Sequence, residues 1–306
     1  MRVRNFLFHR VSDDKDKLWM PMPLKLFEEI IRYLTKNFQV VMLEEFLQHP
    51  ASFKSKKSLV TISFDDGYKD NLEYAAPLLQ KYNCPASFYV VTDCIDRNIP
   101  TWTYIVDYAF QHTSKRKIEI GLAFVPEELK IIPLTEGINA RVKGIKPWMK
   151  SLSNSKRTAV LEAILEQTKD TIAIPRNLMM NWNEVSQLCG NRFTVSSHTH
   201  THPMLANLEG DEEVREELLI SYNKIADHLN IIPRTISYPI GSYNKRVEEL
   251  AIACGYTWGL AVEQRFFNEG TDRTTAIPRV ELYAEPKWKV HARINGIYNG
   301  LKRLVK

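Results

Sequence analysis

The sequence of 306 residues has little of what marks secreted, membrane-spanning or nucleic-acid-binding proteins. Its four cysteines form neither C-x-x-C pairs nor a disulfide-like rhythm, which indicates a reducing compartment. No apolar stretch approaches the roughly 20 residues needed to span a bilayer, and the apolar run after Arg4 is too short for the core of a signal peptide. We therefore expect a cytoplasmic protein without a transmembrane segment.

The charge of the chain is modest and evenly spread. Basic residues number 41 against 36 acidic ones, a formal net charge of +5, and there is no long basic block, so nucleic acid is not an expected partner. Residues 300–306 are basic and partly apolar. They either lie loosely on an anionic membrane or form the solvated end of a helix. No oligomeric state is predicted.

Apolar strands and amphipathic helices alternate in two long regions of the chain. This alternation predicts an α/β fold with parallel strands arranged as a barrel, and the length suits one large domain over residues 1–306. The predicted strands cover residues 5–11, 38–42, 59–64, 86–91, 193–197, 235–238, 257–262 and 276–282. The predicted helices cover residues 24–37, 43–47, 72–79, 154–169, 182–188, 211–229, 245–254 and 288 onward.

The alternation stops between about residues 93 and 180. This segment has scattered aromatic residues and one clear helix at 154–169. We interpret it as a helical insertion without a core of its own, because its apolar content is too low for a second domain. An insertion of this size commonly covers or shapes a site.

The β-branched run of residues 59–64 ends in Asp65, Asp66 and Gly67. Adjacent carboxylates repel each other and are costly to bury, so they need a bound cation or a reason to hold a proton. A metal ion would provide the cation. The alternative is an Asp-Gly turn at the surface, since Asp-Gly is common in turns.

Three histidines, His198, His200 and His202, follow a predicted strand within five residues. Pro203 disfavours the helical conformation for the residue before it, so we expect the chain to pass from a strand into a loop here. A histidine pair with one carboxylate suits zinc and leaves an open position for water. The two aspartates are the expected source of that carboxylate, because the C-terminal ends of barrel strands gather on one face.

Three motifs extend this pattern: Ser-Phe-Asp-Asp-Gly at residues 63–67, His-Thr-x-x-His at residues 198–202 and Tyr-Pro-Ile-Gly at residues 238–241. Together they resemble the polysaccharide deacetylases, carbohydrate esterase family 4, on both sides of the insertion. The resemblance implies a distorted (β/α)7-type barrel of about seven strands. It also implies hydrolysis of N-acetyl groups on sugars with a divalent metal, most often zinc.

The resemblance assigns roles to the clustered side chains. It implies that Asp66, His198 and His202 hold the metal and that Asp65 is the general base. A carboxylate with a pKa near its usual value of about 3.9 is ionised at neutral pH and can take the proton of an attacking water. His200 is left as a solvated or supporting residue.

The general acid has two candidates. Many family members supply a histidine from a C-terminal Leu-x-His segment, which this sequence lacks. The permuted subgroup that resembles poly-N-acetylglucosamine deacetylases has a Tyr-His near its N-terminus, and Phe8-His9 is similar to it. We therefore prefer His9, although a structural histidine at a strand end is the alternative for this position. His291, expected on the terminal helix, is the second candidate.

Tyr238, Ile240 and Arg279 are assigned to the substrate side of the site. The third motif lacks the family's usual arginine before its proline, and Arg279 either replaces that arginine beside the base or forms a surface salt bridge. The resemblance puts the backbone N–H of Ile240 in an oxyanion hole. Tyr238 and Trp182 either stack on a sugar ring or pack inside the protein.

The resulting hypothesis is a metal-dependent N-deacetylase of an amino sugar in a glycan or glycan precursor, acting in surface-polysaccharide biosynthesis. An amide or cyclic-imide hydrolase of a small non-sugar molecule is the second reading of the same site. A glycan-binding protein that has lost activity is the third. A compact closed pocket under the insertion favours the small molecule, and a long open groove favours a glycan.

Overall fold

The computed structural model describes residues 1–53, 56–134, 142, 144–190 and 192–297. The strands are β1 (Arg2–Phe8), β2 (Gln39–Val40), β3 (Leu59–Phe64), β4 (Ala86–Val90), β5 (Lys117–Glu119), β6 (Ile131–Pro133), β7 (Phe193–Ser197), β8 (Thr235–Ser237), β9 (Trp258–Leu260), β10 (Phe267–Asn268) and β11 (Val280–Glu281). The helices are α1 (Leu24–Asn37), α2 (Leu43–Gln48), α3 (Ala76–Lys81), α4 (Thr92–Arg97), α5 (Trp102–His112), α6 (Glu127–Lys130), α7 (Ile145–Ser151), α8 (Asn154–Thr168), α9 (Trp182–Leu188), α10 (Asp211–Leu229), α11 (Lys245–Ala253) and α12 (Lys287–Ile294).

Most strands belong to one curved sheet with the order β10-β1-β3-β4-β7-β8-β9. The ladders from β1 through β3, β4, β7 and β8 to β9 are parallel, and β11 is also parallel to β1. A bridge between Leu260 and Ile277 joins β9 to the segment that leads into β11. The sheet therefore curls back towards its first strand, which confirms the predicted distorted α/β barrel.

A row of phenylalanine rings fixes the relative height of the first barrel strands. Phe8 pairs with Phe64, and Phe64 pairs with Phe88, in neighbouring parallel strands. Their ring centroids are 5.5 and 4.9 Å apart, and Phe27 of α1 packs against Phe8 and Phe64 at steep angles. Because side chains alternate along a strand, the residues that follow Phe8 and Phe64 point to the inside of the barrel at the same edge.

The insertion contains more structure than the sequence predicts. It holds α4 to α8 and the antiparallel hairpin β5–β6. Its apolar side chains form a separate cluster, the insertion core, built from Trp102, Val106, Ala109, Phe110, Ile118, Ile120, Val125, Ile132, Leu134, Ile145, Met149, Val160 and Ile164, with Met204 from outside the insertion. The prediction that this segment lacks a core is wrong, because the apolar residues are divided among short elements with weak individual patterns.

Most of the other differences from the prediction lie at the ends of elements, apart from β10, a short antiparallel strand that the sequence does not predict. The predicted strands 257–262 and 276–282 shorten to Trp258–Leu260 and Val280–Glu281, since β11 pairs with β1 over two residues only. In the described part of the chain, no helix combines the length and apolarity needed to cross a bilayer. The predicted membrane contact at residues 300–306 lies outside the described residues.

Candidate active site

The chain turns sharply after β3 and presents two carboxylates inside the barrel. Asp65 and Asp66 are both buried. Asp66 and Gly67 adopt left-handed backbone conformations with φ of 77° and 88°. A Cβ at residue 67 would lie 3.1 Å from Ile95 and 3.2 Å from Val90. Glycine is therefore required here both for the backbone conformation and for space.

Left-handed backbone conformations at non-glycine residues gather around these carboxylates. Besides Asp66, Thr199, His202 and Ile240 have φ of 69°, 61° and 57°. Outside this region of the described chain, such conformations occur at Arg192 and at asparagines, which tolerate them well. Strained backbone that persists at several neighbouring positions is typical of functional sites.

Asp66, His198 and His202 form a group with the composition of a metal site. Their facing ligand atoms all lie within 4.8 Å of one another, and the Nε2 atoms of His198 and His202 are 3.4 and 3.5 Å from Asp66 Oδ1. His198 Nδ1 lies 2.8 Å from the carbonyl oxygen of Ser237. Because a carbonyl can only accept, Nδ1 donates, and Nε2 of the neutral ring directs a lone pair at the Asp66 carboxylate.

This group fits a divalent cation. Asp66 Oδ1 is buried and has no hydrogen-bond partner among the described residues. Burial lowers the pKa of His202 to about 3, so its ring is neutral at physiological pH, as metal binding requires. Burial also lowers the pKa of His198, but Asp65 and Asp66 raise it more, so the site attracts positive charge. Two imidazoles and one carboxylate suit zinc and leave positions open.

Asp65 is held by a separate set of contacts. Arg279 donates to both of its carboxylate oxygens, at 2.8 and 2.7 Å, and the Ser237 hydroxyl donates to Oδ2 at 3.0 Å. Burial alone would raise the pKa of Asp65, but Arg279 and His198 outweigh it and hold the pKa below its ordinary value. Asp65 is therefore ionised at neutral pH.

His9 follows β1 and lines the same cavity as the metal-binding group. Its Nδ1 lies 3.4 Å from Oε1 of Glu281, and its ring contacts the Trp19 ring at a centroid distance of 5.1 Å. His291 lies on α12, where it packs edge-on against Tyr33 at 4.3 Å. Of the two candidate acids, the structure brings His9 to the site and leaves His291 outside it.

The cavity above these residues has a volume of about 240 Å³, and one of its walls comes from the insertion. The barrel supplies His9, Trp19, Asp65, Asp66, His198, His202, Ile240, Val262 and Glu281, and the insertion supplies Thr103, Tyr104, Asp107, Lys146 and Lys150. The Trp102 indole also donates to the His202 carbonyl oxygen at 3.1 Å, which ties the insertion to the metal-binding loop.

Two aromatic residues do not have the predicted stacking role. The side chain of Tyr238 is fully buried, and its hydroxyl donates to the Thr275 carbonyl oxygen at 2.9 Å. Trp182 stacks on His228 at 4.2 Å. Neither residue lines the cavity, so neither can stack on a bound sugar there. Trp19 and Tyr104 are the aromatic residues that do line it.

Three further residues are placed as follows. Arg279 is fully buried against Asp65, so it forms neither a surface salt bridge nor a substrate contact. Ile240 lines the cavity, as the oxyanion-hole hypothesis requires. His200 points away and lies within hydrogen-bonding distance of the Thr92 hydroxyl, which agrees with a supporting position.

Glu281 and the insertion wall are parts of the cavity that were not predicted from the sequence. Glu281 lies near the end of a predicted strand, which is a position where site residues are common. This strand end lies near His9 because β11 pairs in parallel with β1. Asp107, Lys146 and Lys150 do not lie at predicted strand ends. They lie on short helices whose relative positions depend on the packing of the insertion core.

Comparison with known proteins gives one family. The sequence model described as Polysaccharide deacetylase matches residues 53–130 and 154–259. The Bacillus subtilis (strain 168) protein YxkH, whose description names a polysaccharide deacetylase, is 31% identical over 87 residues. That match spans 28% of this chain and only 30% of the length of YxkH.

Solved structures share the fold at low sequence identity. The Streptococcus pyogenes deacetylase PplD, in complex with acetate, superimposes with a TM-score of 0.64 at 13% identity, covering 96% of this chain and 97% of the other. A de-N-acetylase from Aggregatibacter actinomycetemcomitans superimposes with a TM-score of 0.62 at 16% identity, covering 95% and 98%. The fold described above is therefore that of known deacetylases.

Proposed function

The chain belongs to the polysaccharide deacetylase family, hydrolases of carbon–nitrogen bonds other than peptide bonds, and we propose that it removes the N-acetyl group from an amino sugar in a glycan or glycan precursor. The observation that carries this proposal is the convergence of Asp65, His9 and the buried Asp66–His198–His202 group on one cavity.

Asp66, His198 and His202 would hold a divalent metal ion, and their chemistry suits zinc.

 The ligand set of two imidazoles and one carboxylate is the reason for this choice. A divalent ion in such a site acts as a Lewis acid towards a carbonyl oxygen and increases the acidity of water. Binding of zinc to the purified protein, measured by titration calorimetry, tests the assignment directly, and His202→Ala should lose it.

Asp65 is proposed as the general base. Its carboxylate is ionised at neutral pH and opens onto the cavity, so it can take a proton from the water that attacks the acetamide carbon. Arg279 and Ser237 together contact both of its oxygens and fix its orientation. Neither of these two residues needs to touch the substrate.

His9 is proposed as the general acid. In its protonated form it donates a proton to the leaving nitrogen as the carbon–nitrogen bond breaks, which releases acetate and a free amine. Glu281, 3.4 Å from Nδ1, orients the ring so that Nε2 is available to the substrate. The backbone N–H of Ile240 is proposed to stabilise the negative charge that develops on the acetyl oxygen.

Acetate release from N-acetylhexosamine oligomers by the zinc-loaded protein is the primary test. Asp65→Asn should lower kcat by roughly 100-fold or more while zinc binding is retained. Asp227→Asn, an equivalent change at an exposed position of α10, is the matched control and should have full activity. If no N-acetyl sugar releases acetate, the proposed activity is wrong, and sugar binding without turnover would favour the non-catalytic alternative.

The acid assignment has its own test, because a good leaving group needs no protonation. His9→Gln should slow amide hydrolysis by roughly 100-fold or more but leave the hydrolysis of an aryl acetate ester nearly unchanged. His291→Gln should change neither rate. If His291→Gln produces the selective loss instead, the assignment to His9 is wrong.

A small amide or cyclic imide is the second candidate substrate. The cavity has a volume of about 240 Å³ and takes one of its walls from the insertion, and this small volume favours a small molecule. A cyclic imide and an aryl acetamide therefore belong in the substrate panel. The role in surface-polysaccharide biosynthesis and the cytoplasmic location stay predictions, which gene deletion and cell fractionation would test.

A further inference from the structure

The insertion wall carries two lysines that the proposed reaction does not use. Lys146 and Lys150 are four residues apart on α7, so they lie on one face of the helix, and both line the cavity. The other face of α7 is fixed in the insertion core by Ile145 and Met149, which are fully buried. The direction of the two lysines is therefore set by packing.

The two lysines differ in their partners. Lys146 Nζ lies 2.6 Å from Oδ2 of Asp107 on α5, and Asp107 is itself buried. Lys150 has no carboxylate within ion-pair distance among the described residues, although its stem is half-buried. Burial and the neighbouring Lys146 lower the pKa of Lys150, and Asp107 and Glu281 oppose this effect only in part.

Most of the other charged side chains at the cavity have a partner of opposite charge. Asp65 pairs with Arg279 and Asp107 pairs with Lys146, and Glu281 lies 3.4 Å from His9. Asp66 belongs to the metal-binding group. Lys150 is therefore the lining cation without an ion-pair partner among the described residues.

We propose that the cavity takes an N-acetyl sugar that carries an anionic oxygen group, a phosphate ester or a carboxylate, and that Lys150 binds this group with Lys146 beside it. The identification of the ligand as an N-acetyl sugar rests on the proposed deacetylation. The anion site itself is inferred from the positions of Lys146 and Lys150. Deacetylation leaves an ammonium group on the sugar. Lys150 would repel this group if the glycan carried no negative charge. A substrate with its own negative charge offsets that repulsion.

Binding of three probes to the zinc-loaded protein tests the proposal by calorimetry. N-acetylglucosamine 1-phosphate carries a phosphate, N-acetylmuramic acid carries a carboxylate, and N,N′-diacetylchitobiose is neutral. Lys150→Met should weaken binding of the anionic probes by roughly tenfold, the loss expected for one charge-assisted hydrogen bond, and leave the neutral probe unchanged. The anionic probe whose affinity falls more shows whether the site prefers a phosphate or a carboxylate.

Three further variants distinguish a specific effect of Lys150 from a loss of structure or a change in net charge. Lys150→Arg should retain the preference for anions. Lys169→Met changes the net charge equally, at an exposed position of the insertion, and should have no effect. Asp107→Asn should tighten binding of the anionic probes severalfold, because it releases Lys146 from its carboxylate. Opposite effects at residues 150 and 107 do not follow from a general loss of structure.

The proposal is overturned if Lys150→Met binds the anionic probes as well as the parent does. It is also overturned if the preference disappears with EDTA but survives in Lys150→Met, since the anion would then bind the metal. Failure of the proposed deacetylation gives a different result, in which no probe releases acetate while the anion preference still depends on Lys150.

Discussion

Replacing Arg279 with methionine tests whether this arginine sets the charge of Asp65. The Arg279 side chain is fully buried and donates to both Asp65 oxygens at 2.8 and 2.7 Å, and to the Ser237 hydroxyl oxygen at 2.8 Å. Methionine fills much of the same space but carries no charge. Asp65 would then be a buried carboxylate with Ser237 as its remaining hydrogen-bond donor in this set.

The size of the effect follows from burial. Removing one partner of a buried ion pair typically costs about 3–5 kcal/mol of stability, because the other charge is left uncompensated. Loss of a neighbouring arginine raises a carboxyl pKa by about 1–3 units, and burial acts on Asp65 in the same direction. The same replacement at Arg265, whose ion pairs are exposed, should cost about 1 kcal/mol or less.

The contribution of ionised Asp65 to folding stability should also change sign. In the parent, the folded pKa of Asp65 is below the unfolded value, so its contribution to stability is present above the unfolded pKa and is lost as pH falls through the folded one. In Arg279→Met the folded pKa rises above the unfolded value, so ionised Asp65 costs stability. The stability difference between parent and variant should therefore shrink as pH falls.

Denaturant unfolding from pH 5 to 8 and the pH profile of kcat/KM for acetate release measure these effects. The acid limb of the profile should move to higher pH in Arg279→Met, and Arg279→Lys should lie between the variant and the parent. The reasoning is refuted if Arg279→Met folds with parent stability at every pH, or if it is active with an unmoved acid limb.

Three further predictions concern the metal site, a thiol and an aromatic residue. Chelation with EDTA should lower the unfolding temperature in thermal scans, and His202→Ala should be insensitive to the chelator. Burial raises the pKa of the Cys84 thiol to about 12, so mass spectrometry after iodoacetamide treatment at pH 8 should find the half-buried Cys189 modified before Cys84. Tyr238→Phe should lose about 1 kcal/mol of stability with its hydrogen bond and leave KM for the sugar unchanged, whereas a raised KM would restore the stacking hypothesis.

Elements with a strong local signal could be predicted from the sequence. The strand Phe193–Ser197 and the helix Trp182–Leu188 lie where the pattern put them, and a capping box formed by Asn181 and Glu184 fixes the start of that helix. The strand Leu59–Phe64 is buried along its whole length, and this is why it appears as a continuous apolar run.

Contacts between distant segments could not be predicted in this way. Asp65 and Arg279 are 214 residues apart in sequence, and the paired contact depends on the curling of the sheet. Tyr238 is polar enough to suggest a surface role, yet its hydroxyl is satisfied by a carbonyl inside the barrel. The positions of Lys146 and Lys150 depend on the insertion core, which the pattern of no single helix predicts.

The contacts of Asp65 show that different strands of a barrel can supply the positive charge at the same position. The family arginine expected before Pro239 is absent, but Ser237 of β8 still contacts Asp65 Oδ2, and the positive charge comes from Arg279, next to β11. Because the C-terminal ends of parallel strands converge, a residue from another strand end can occupy the same space. Arg279 then neutralises Asp65 from inside the barrel, and the insertion adds Lys146 and Lys150 to the cavity wall.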